Sequence, residues 1–256
     1  MTQPALTAAF VLRSHAYGES DRIVRFITED FGKVSGIAKG AMRSRRRFVN
    51  TLEPFVKIRL AFRARPQSDL VFIERCELIG ILRSFGSDLD RFACGSYVLE
   101  LTDQLVMGRE AGTEIFRLVE TTLSMLDSIG PCRSVVRAFE LHVLGAIGYR
   151  PDLTSCRACG RSVSTLPSVL IVPARGGVVC TRCRPATGVT HALEGHTLAM
   201  LADLQRHPVS AAPSRASDEE AAAAESALEG FIAHVITRPL RSPAVLSALR
   251  QPASTC

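Results

Sequence analysis

The first 80 residues alternate between hydrophobic and polar positions in short runs, a pattern that is typical of β-strands. Five such runs lie at residues 7–13, 22–28, 34–38, 55–62 and 70–76, with turn-forming sequences between them. Five strands in about seventy residues favour a small closed barrel, because an open sheet would leave edges free to pair with other chains. The strand count favours an OB-type barrel, with an SH3-like barrel as the alternative.

After residue 81 the apolar residues recur at intervals of three and four, the spacing of helices that bury one face. Three helices are predicted from their apolar stripes: Cys94, Val98, Leu101 and Leu105; Ile115, Val119, Leu123 and Leu126; Val136, Phe139, Val143 and Ile147. A fourth is predicted over 196–206, and a last one begins at Ser217, which can form a capping box with Glu220. The segment 207–217 between these two has too few large apolar side chains to fold by itself.

These patterns predict an α+β multidomain protein. Residues 1–80 are expected to form an OB-type barrel domain, and residues 81–256 an α-helical domain. The composition, 46% hydrophobic and 22% charged, is ordinary for a soluble protein. The longest run without Lys, Arg, Asp or Glu is 13 residues, too short to cross a bilayer. No basic leader precedes the first apolar run, so we expect no signal peptide, no membrane partner and a cytoplasmic location.

The positive charge of the chain is concentrated in its first third. Residues 1–80 hold 14 Lys and Arg against 8 Asp and Glu, whereas residues 81–256 hold 17 of each. No acidic residue lies between Asp30 and Glu53. Such a local, one-signed charge suits a polyanion, because each neutralised phosphate releases condensed counterions; a solvated loop is the alternative. The predicted DNA-binding residues are Lys33, Lys39, Arg43, Arg45, Arg46 and Arg47.

Aromatic residues that can stack on bases are scarce near this loop. Tyr17, Phe26, Phe31, Phe48 and Phe55 are the candidates, and most of them must fill the barrel. We therefore expect contacts with the phosphate backbone to dominate binding.

Four cysteines, Cys156, Cys159, Cys180 and Cys183, form a C-x2-C-x20-C-x2-C pattern, a strong signature of a zinc site in a reducing compartment. Four thiolates complete a tetrahedral coordination sphere and leave no position for water, so one structural Zn²⁺ is expected. Six arginines and one aspartate lie at residues 150–184. Their expected main role is to neutralise the metal cluster, and contact with nucleic acid is the alternative.

No catalytic pattern is present in the sequence: it has no GxGxxG after a strand, no GxxxxGK[ST], no HExxH and no GxSxG. The zinc deaminase signature also fails, because no H-x-E motif precedes the paired cysteines. We therefore expect a protein that is not an enzyme.

Beyond these features, the chain resembles the bacterial RecO recombination-mediator family over roughly residues 5–205. The resemblance rests on AFVLRSHAYGESDRIVRFITEDFGKVSGIAKGAMRSRRRF, on LEPF before the fourth strand, and on FELHVLGAIGYRPDLTSCRACG leading into the first cysteine pair. The segments GESDRIV and FGKVSGIAKGA are specific in combination. Residues after 206 give no specific match.

This resemblance implies a DNA repair and homologous recombination protein. In it, residues 1–80 form an OB-fold nucleic-acid-binding domain, and residues 81–256 form an α-helical domain with a zinc finger inserted at 150–188. It implies binding to single- and double-stranded DNA and annealing of complementary strands, including strands coated by single-stranded DNA-binding protein (SSB). With RecR, such a protein helps to load RecA at gaps in nucleoid DNA. The competing hypothesis is a zinc-ribbon and OB adaptor that binds a protein or a structured RNA.

Overall fold

The computed structural model describes residues 3–65, 67–108 and 112–242. The strands are β1 (Ala5–Tyr17), β2 (Asp21–Thr28), β3 (Gly32–Ala38), β4 (Val56–Arg63), β5 (Val71–Ile81), β6 (Ser168–Val172), β7 (Gly177–Cys180) and β8 (His191–Glu194). The α-helices are α1 (Leu89–Leu105), α2 (Gly112–Ile129), α3 (Arg133–Ala146), α4 (Gly195–Arg206), α5 (Asp218–Ala223) and α6 (Glu225–Val235). They form two compact units: the described residues up to Ser128 with Leu240–Ser242, and Ile129–Pro239.

The first five strands form a closed barrel in the order β1-β2-β3-β5-β4, which confirms the predicted OB-like barrel. The first half of β1 pairs with β4 and its second half with β2, and the register shifts between Val11 and Arg13. Strands β3 and β5 run parallel and pair at Gly36↔Val71 and Ile37↔Phe72. Because β1 pairs with both β2 and β4, the five strands close into a barrel.

Close approach of β3 and β5 depends on a glycine. A Cβ at Gly36 would lie 2.7 Å from Ile73 Cγ1 and 2.8 Å from Val71 Cγ2. Both of these side chains belong to the apolar interior of the barrel, together with Phe26 and Ile58, which are fully buried. A side chain at position 36 would therefore displace core residues at the point where the barrel closes.

Helices α1 and α2 belong to the same compact unit as the barrel. The rings of Phe10 in β1 and Phe116 in α2 have their centroids 5.6 Å apart, and both side chains are buried. Lys57 in β4 forms an ion pair with Glu120 in α2. Contacts of this kind extend the unit past residue 80, where the sequence pattern changes from strands to helices.

The second unit combines four helices with a three-stranded sheet in the order β7-β6-β8. The predicted last helix begins as expected: Ser217 accepts a hydrogen bond from the Glu220 backbone and the Glu220 side chain completes the capping box. It then breaks at Ala224 into α5 and α6. Residues Val209–Ser214 belong to the segment that we expected to have too few large apolar side chains to fold by itself. They form a 3₁₀ helix that packs against α3. Within the described residues, no helix has the length and apolar character needed to span a membrane.

Candidate nucleic-acid interface and candidate metal centre

The segment between β3 and β4 carries the predicted DNA-binding cations, and residues 39–47 are called the basic loop below. Its five cationic side chains are all exposed: Lys39, Arg43, Arg45, Arg46 and Arg47. A short 3₁₀ helix, Ala41–Arg43, lies in its middle. The structure therefore brings five of the six predicted residues together on one exposed segment.

The first half of the basic loop is attached to the turn that joins β1 and β2. The backbone N–H of Gly40 donates to Asp21 Oδ1 at 2.8 Å, and the backbone N–H of Met42 donates to the carbonyl of Ser20 at 2.9 Å. The loop is thus held at its start by the carboxylate of the first residue of β2 and by a backbone carbonyl of the turn before it.

The second half of the loop is attached to the barrel core. The Cys76 backbone N–H donates to the carbonyl of Arg47 at 3.0 Å. The next residue, Phe48, is 5% exposed and belongs to the core cluster, as does Leu52. The Arg47 guanidinium lies 4.9 Å from the centroid of the Phe48 ring and donates to the carbonyl of Lys39 at 2.7 Å. These contacts limit the conformations of the loop, while its charged side chains remain exposed to solvent.

Lys33, the sixth predicted DNA-binding residue, has a different environment. Its side chain is 14% exposed, and its Nζ lies 3.2 Å from Asp103 Oδ1 in α1. Arg25 in β2 donates to the other oxygen of the same carboxylate at 2.9 Å. Lys33 thus neutralises a buried acid within this unit, and its ammonium group is not part of the exposed set.

Of the five aromatic residues that the sequence places near the loop, Tyr17 is the one with an exposed side chain, at 54%. Phe26, Phe48 and Phe55 are buried, and Phe31 packs edge-on against Phe62 with the ring centroids 5.2 Å apart. Tyr17 pairs with Asp21 at the end of the β1–β2 ladder. An exposed ring therefore lies beside the turn to which the basic loop is attached.

The four cysteines of the predicted zinc site converge in the second unit. Their sulfur atoms all lie within 4.8 Å of one another. Cys156 and Cys180 are buried, Cys183 is half-buried and Cys159 is exposed. This set of four soft sulfur donors fits Zn²⁺, which binds tetrahedrally to thiolates.

Hydrogen bonds around the sulfurs support this assignment. The backbone N–H of Cys180 donates to Cys156 Sγ at 3.3 Å. Burial raises the pKa of Cys156, but N–H bonds from Cys180, Ala158 and Cys159 lower it by more, to about 6. The pKa of Cys183 is raised to about 12, because its thiol hydrogen-bonds to the sulfurs of Cys180 and Cys159. The thiolate form of Cys156 is thus favoured, as is the thiol form of Cys183.

Asp152, which the sequence analysis did not single out, organises the start of the finger. Its carboxylate accepts hydrogen bonds from the backbone N–H and hydroxyl groups of Thr154 and Ser155. Burial acts to raise the pKa of Asp152, but these bonds outweigh it and lower the pKa to about 2. The signal in the sequence was an Asp followed at two and three residues by Thr and Ser, a typical turn pattern.

A close backbone contact joins this turn to β7. A Cβ at Gly177 would lie 2.4 Å from the carbonyl oxygen of Asp152. The Val178 backbone N–H donates to the same carbonyl at 3.0 Å, and the Asp152 backbone N–H donates to the carbonyl of Gly176. The absence of a side chain at position 177 lets the strand that carries Cys180 approach the segment that carries Cys156.

Comparison with known protein families gives matches over nearly the whole chain. The family model "Recombination protein O N terminal" matches residues 1–82, and "Recombination protein O C terminal" matches residues 86–244.

Curated relatives named DNA repair protein RecO match over comparable lengths. The chain is 39% identical to the one from Anaeromyxobacter dehalogenans (strain 2CP-C) over 90% of this chain and 91% of the relative. It is 33% identical to that of Myxococcus xanthus (strain DK1622) over 91% and 93%, and 30% identical to that of Syntrophus aciditrophicus (strain SB) over 96% of each. With an OB-like barrel and a four-cysteine cluster in the expected order, the chain belongs to the RecO family of DNA repair proteins.

Proposed function

We propose that this chain is a mediator of homologous recombination that binds single- and double-stranded DNA and anneals complementary strands without catalysing a reaction. In this role it acts on SSB-coated gaps in the cytoplasmic nucleoid and, with RecR, helps RecA to load there. The observation that carries the proposal is the basic loop: five exposed cations on a segment fixed at both ends.

Annealing requires two negatively charged strands to approach each other. Cations of the basic loop lower the repulsion between the phosphate backbones, so that base pairs can nucleate. If all five cations contact phosphates, the logarithm of the binding constant for a single strand falls with the logarithm of salt concentration with a slope of about −3.5. Arginine suits this role because its planar guanidinium binds phosphate oxygens in pairs.

Tyr17 adds a contact that phosphate binding cannot provide. Its exposed ring can stack on an unpaired base, an interaction that tolerates any sequence. One stacking residue near five cations fits a protein that binds mainly the phosphate backbone of DNA.

The metal has a structural role in this proposal. Cys156, Cys159, Cys180 and Cys183 would hold one Zn²⁺, which when bound cross-links the two cysteine pairs. The residues between the pairs contribute β6 and β7, so loss of the metal affects the folding of the finger rather than a chemical step.

The test is annealing of complementary oligonucleotides coated with SSB, measured at two salt concentrations with the zinc-loaded protein. We expect acceleration that weakens as salt rises. A variant in which Arg43, Arg45, Arg46 and Arg47 are all changed to Ala is expected to lose most of this activity. It should keep its fold, because the four arginine side chains are exposed.

A matched control removes four exposed arginines that pair with acids elsewhere, Arg59, Arg75, Arg206 and Arg215. It is expected to anneal nearly as well as the wild type. Equal loss in both variants would show a dependence on total charge rather than on the loop. No acceleration by the folded wild-type protein would favour an adaptor that binds a protein or a structured RNA.

A further inference from the structure

The zinc finger contains a second concentration of positive charge. Residues 150–184 include one acid, Asp152, and six arginines: Arg150, Arg157, Arg161, Arg175, Arg182 and Arg184. Residues 81–256 are neutral overall, so the rest of that region carries a formal charge of −5 against +5 in the finger. The arginines of this region are therefore gathered around the metal site rather than scattered.

All six arginine side chains are exposed, and residues 150–184 are described throughout. Within this range their one ion pair joins Arg157 and Asp152 at 3.8 Å. The Asp152 carboxylate is already occupied by Thr154 and Ser155. The positive charge of the finger thus faces solvent with little compensation from the protein.

Neutralisation of the metal cluster accounts for part of this charge. Zn²⁺ with four thiolates carries a charge of −2, which leaves a finger of about +3. Within residues 150–184 no arginine side chain donates to a cysteine sulfur, and the Arg157 Nε–H donates instead to the carbonyl of Arg175 at 3.2 Å. The contacts of Arg157 are therefore with a backbone carbonyl and with Asp152 rather than with the sulfurs.

The backbone under these arginines is well ordered by hydrogen bonds. The Arg157 backbone N–H donates to the carbonyl of Val178 at 2.9 Å, and the carbonyl of Arg161 accepts from the Cys156 backbone N–H at 2.8 Å. Four of the six arginines lie within two residues of a cysteine of the cluster. Because the backbone that carries these arginines is fixed, less conformational entropy is lost when a ligand binds.

An exposed aromatic residue precedes this segment. Tyr149 is 55% exposed and is followed directly by Arg150. Arginines together with an exposed ring suit single-stranded nucleic acid, whose phosphates take the guanidinium groups and whose unpaired bases stack. An acidic peptide would use the charge but has no base to stack on the ring.

We propose that the zinc finger is a second DNA-binding site, which holds the phosphate backbone of single-stranded DNA through its exposed arginines. The inference rests on the proposed function in that it assigns a second site to the same ligand. A second cationic site on the chain adds phosphate contacts to those of the basic loop.

The test uses the full-length, zinc-loaded protein with Arg161, Arg182 and Arg184 changed to Gln. The control changes Arg206, Arg215 and Arg238 to Gln, which removes the same charge from exposed positions of the same unit. Zinc content and melting temperature are measured first, and both are expected to match the wild type. Binding to an oligo-dT strand is then measured over a range of salt concentrations.

We expect the finger variant to lower the magnitude of the salt slope by about 2, the value for three lost phosphate contacts, and the control to leave it nearly unchanged. A slope equal to that of the control would overturn the inference. Loss of binding to poly-glutamate with unchanged binding to DNA would also overturn it, in favour of an acidic protein partner.

The variant of the basic loop, measured in parallel, separates this inference from the proposed function. Wild-type binding by the loop variant with weakened binding by the finger variant would reject the loop and support the finger. The reverse result would reject the finger alone. Combining the two sets of substitutions is expected to abolish most of the salt dependence.

Discussion

The Gly40 backbone N–H and the Asp21 carboxylate form a 2.8 Å hydrogen bond that attaches the basic loop to the turn between β1 and β2. An acid thus lies at the base of a cationic segment. Its hydrogen bond orders the loop, whereas its charge opposes the binding of phosphate.

These two effects are separable by substitution of Asp21. Asp21→Ala removes the acceptor, and we expect the loop to lose order and single-strand affinity to fall several-fold. Asp21→Asn keeps an oxygen acceptor and removes the charge, so it should bind DNA at least as tightly as the wild type. Fluorescence anisotropy with a labelled oligonucleotide measures both. Equal affinities of the two variants would show that the bond does not order the loop.

Lys33 is expected to contribute to stability rather than to DNA binding. Lys33→Ala leaves the buried Asp103 with Arg25 as its remaining cationic partner. We therefore expect the free energy of unfolding to fall by about 1–3 kcal/mol. The salt slope of DNA binding should stay unchanged. Chemical denaturation and salt titration check the two parts, and a slope reduced by about 0.7 would place Lys33 on a phosphate.

Tyr17 is expected to supply one stacking contact. Tyr17→Ala should weaken binding to a single strand by about 1–3 kcal/mol, while Tyr17→Phe should retain it, because stacking uses the ring and not the hydroxyl group. Because the side chain is exposed, neither change should lower the melting temperature much. If the Ala and Phe variants bind alike, the ring does not contact a base.

The metal site predicts linked loss of zinc and stability. Cys156→Ser removes one of the four ligands, so zinc content and melting temperature should fall together. Cys132→Ser is the control, since Cys132 is half-buried and lies outside the cluster. Metal analysis and calorimetry measure the outcome. A Cys156→Ser protein with one equivalent of zinc would contradict a four-cysteine site.

Gly177→Ala tests the backbone contact in the finger. The added methyl group would meet the Asp152 carbonyl at 2.4 Å, so we expect destabilisation and weaker zinc retention. Gly145→Ala in α3 is the matched control: it meets no atom within 4 Å and should stabilise the protein by about 0.5–1 kcal/mol. Thermal unfolding of the two variants should shift in opposite directions, and an unchanged or raised melting temperature of Gly177→Ala would contradict the contact.

Local patterns in the sequence predicted much of this structure. Alternation located the starts of the five barrel strands to within two residues, although β1 and β5 extend four and five residues beyond their predicted ends. The Ser217–Glu220 spacing located the start of α5. Cysteine spacing predicted a cluster whose members are 24 residues apart at Cys156 and Cys180. Each of these signals depends on neighbours along the chain or on a known spacing.

Partners that lie far apart along the chain were not predicted. The charge pattern placed Lys33 with the arginines of the loop, but its partner Asp103 is 70 residues away. Periodicity likewise gave one final helix, whereas the structure has a break at Ala224, a residue that is fully buried. Apolar spacing reports which face of a segment is buried and contains no information on what it is buried against.

The pairing of β1 with both β2 and β4 also affects how neighbouring molecules can interact at high local concentration. Its two halves pair with β2 and β4, so the described barrel offers no open strand to a second molecule. A protein that gathers on one DNA strand reaches a local density far above its average in solution. If the chain gathers on DNA as proposed, the barrels of neighbouring molecules can lie close together without pairing their strands.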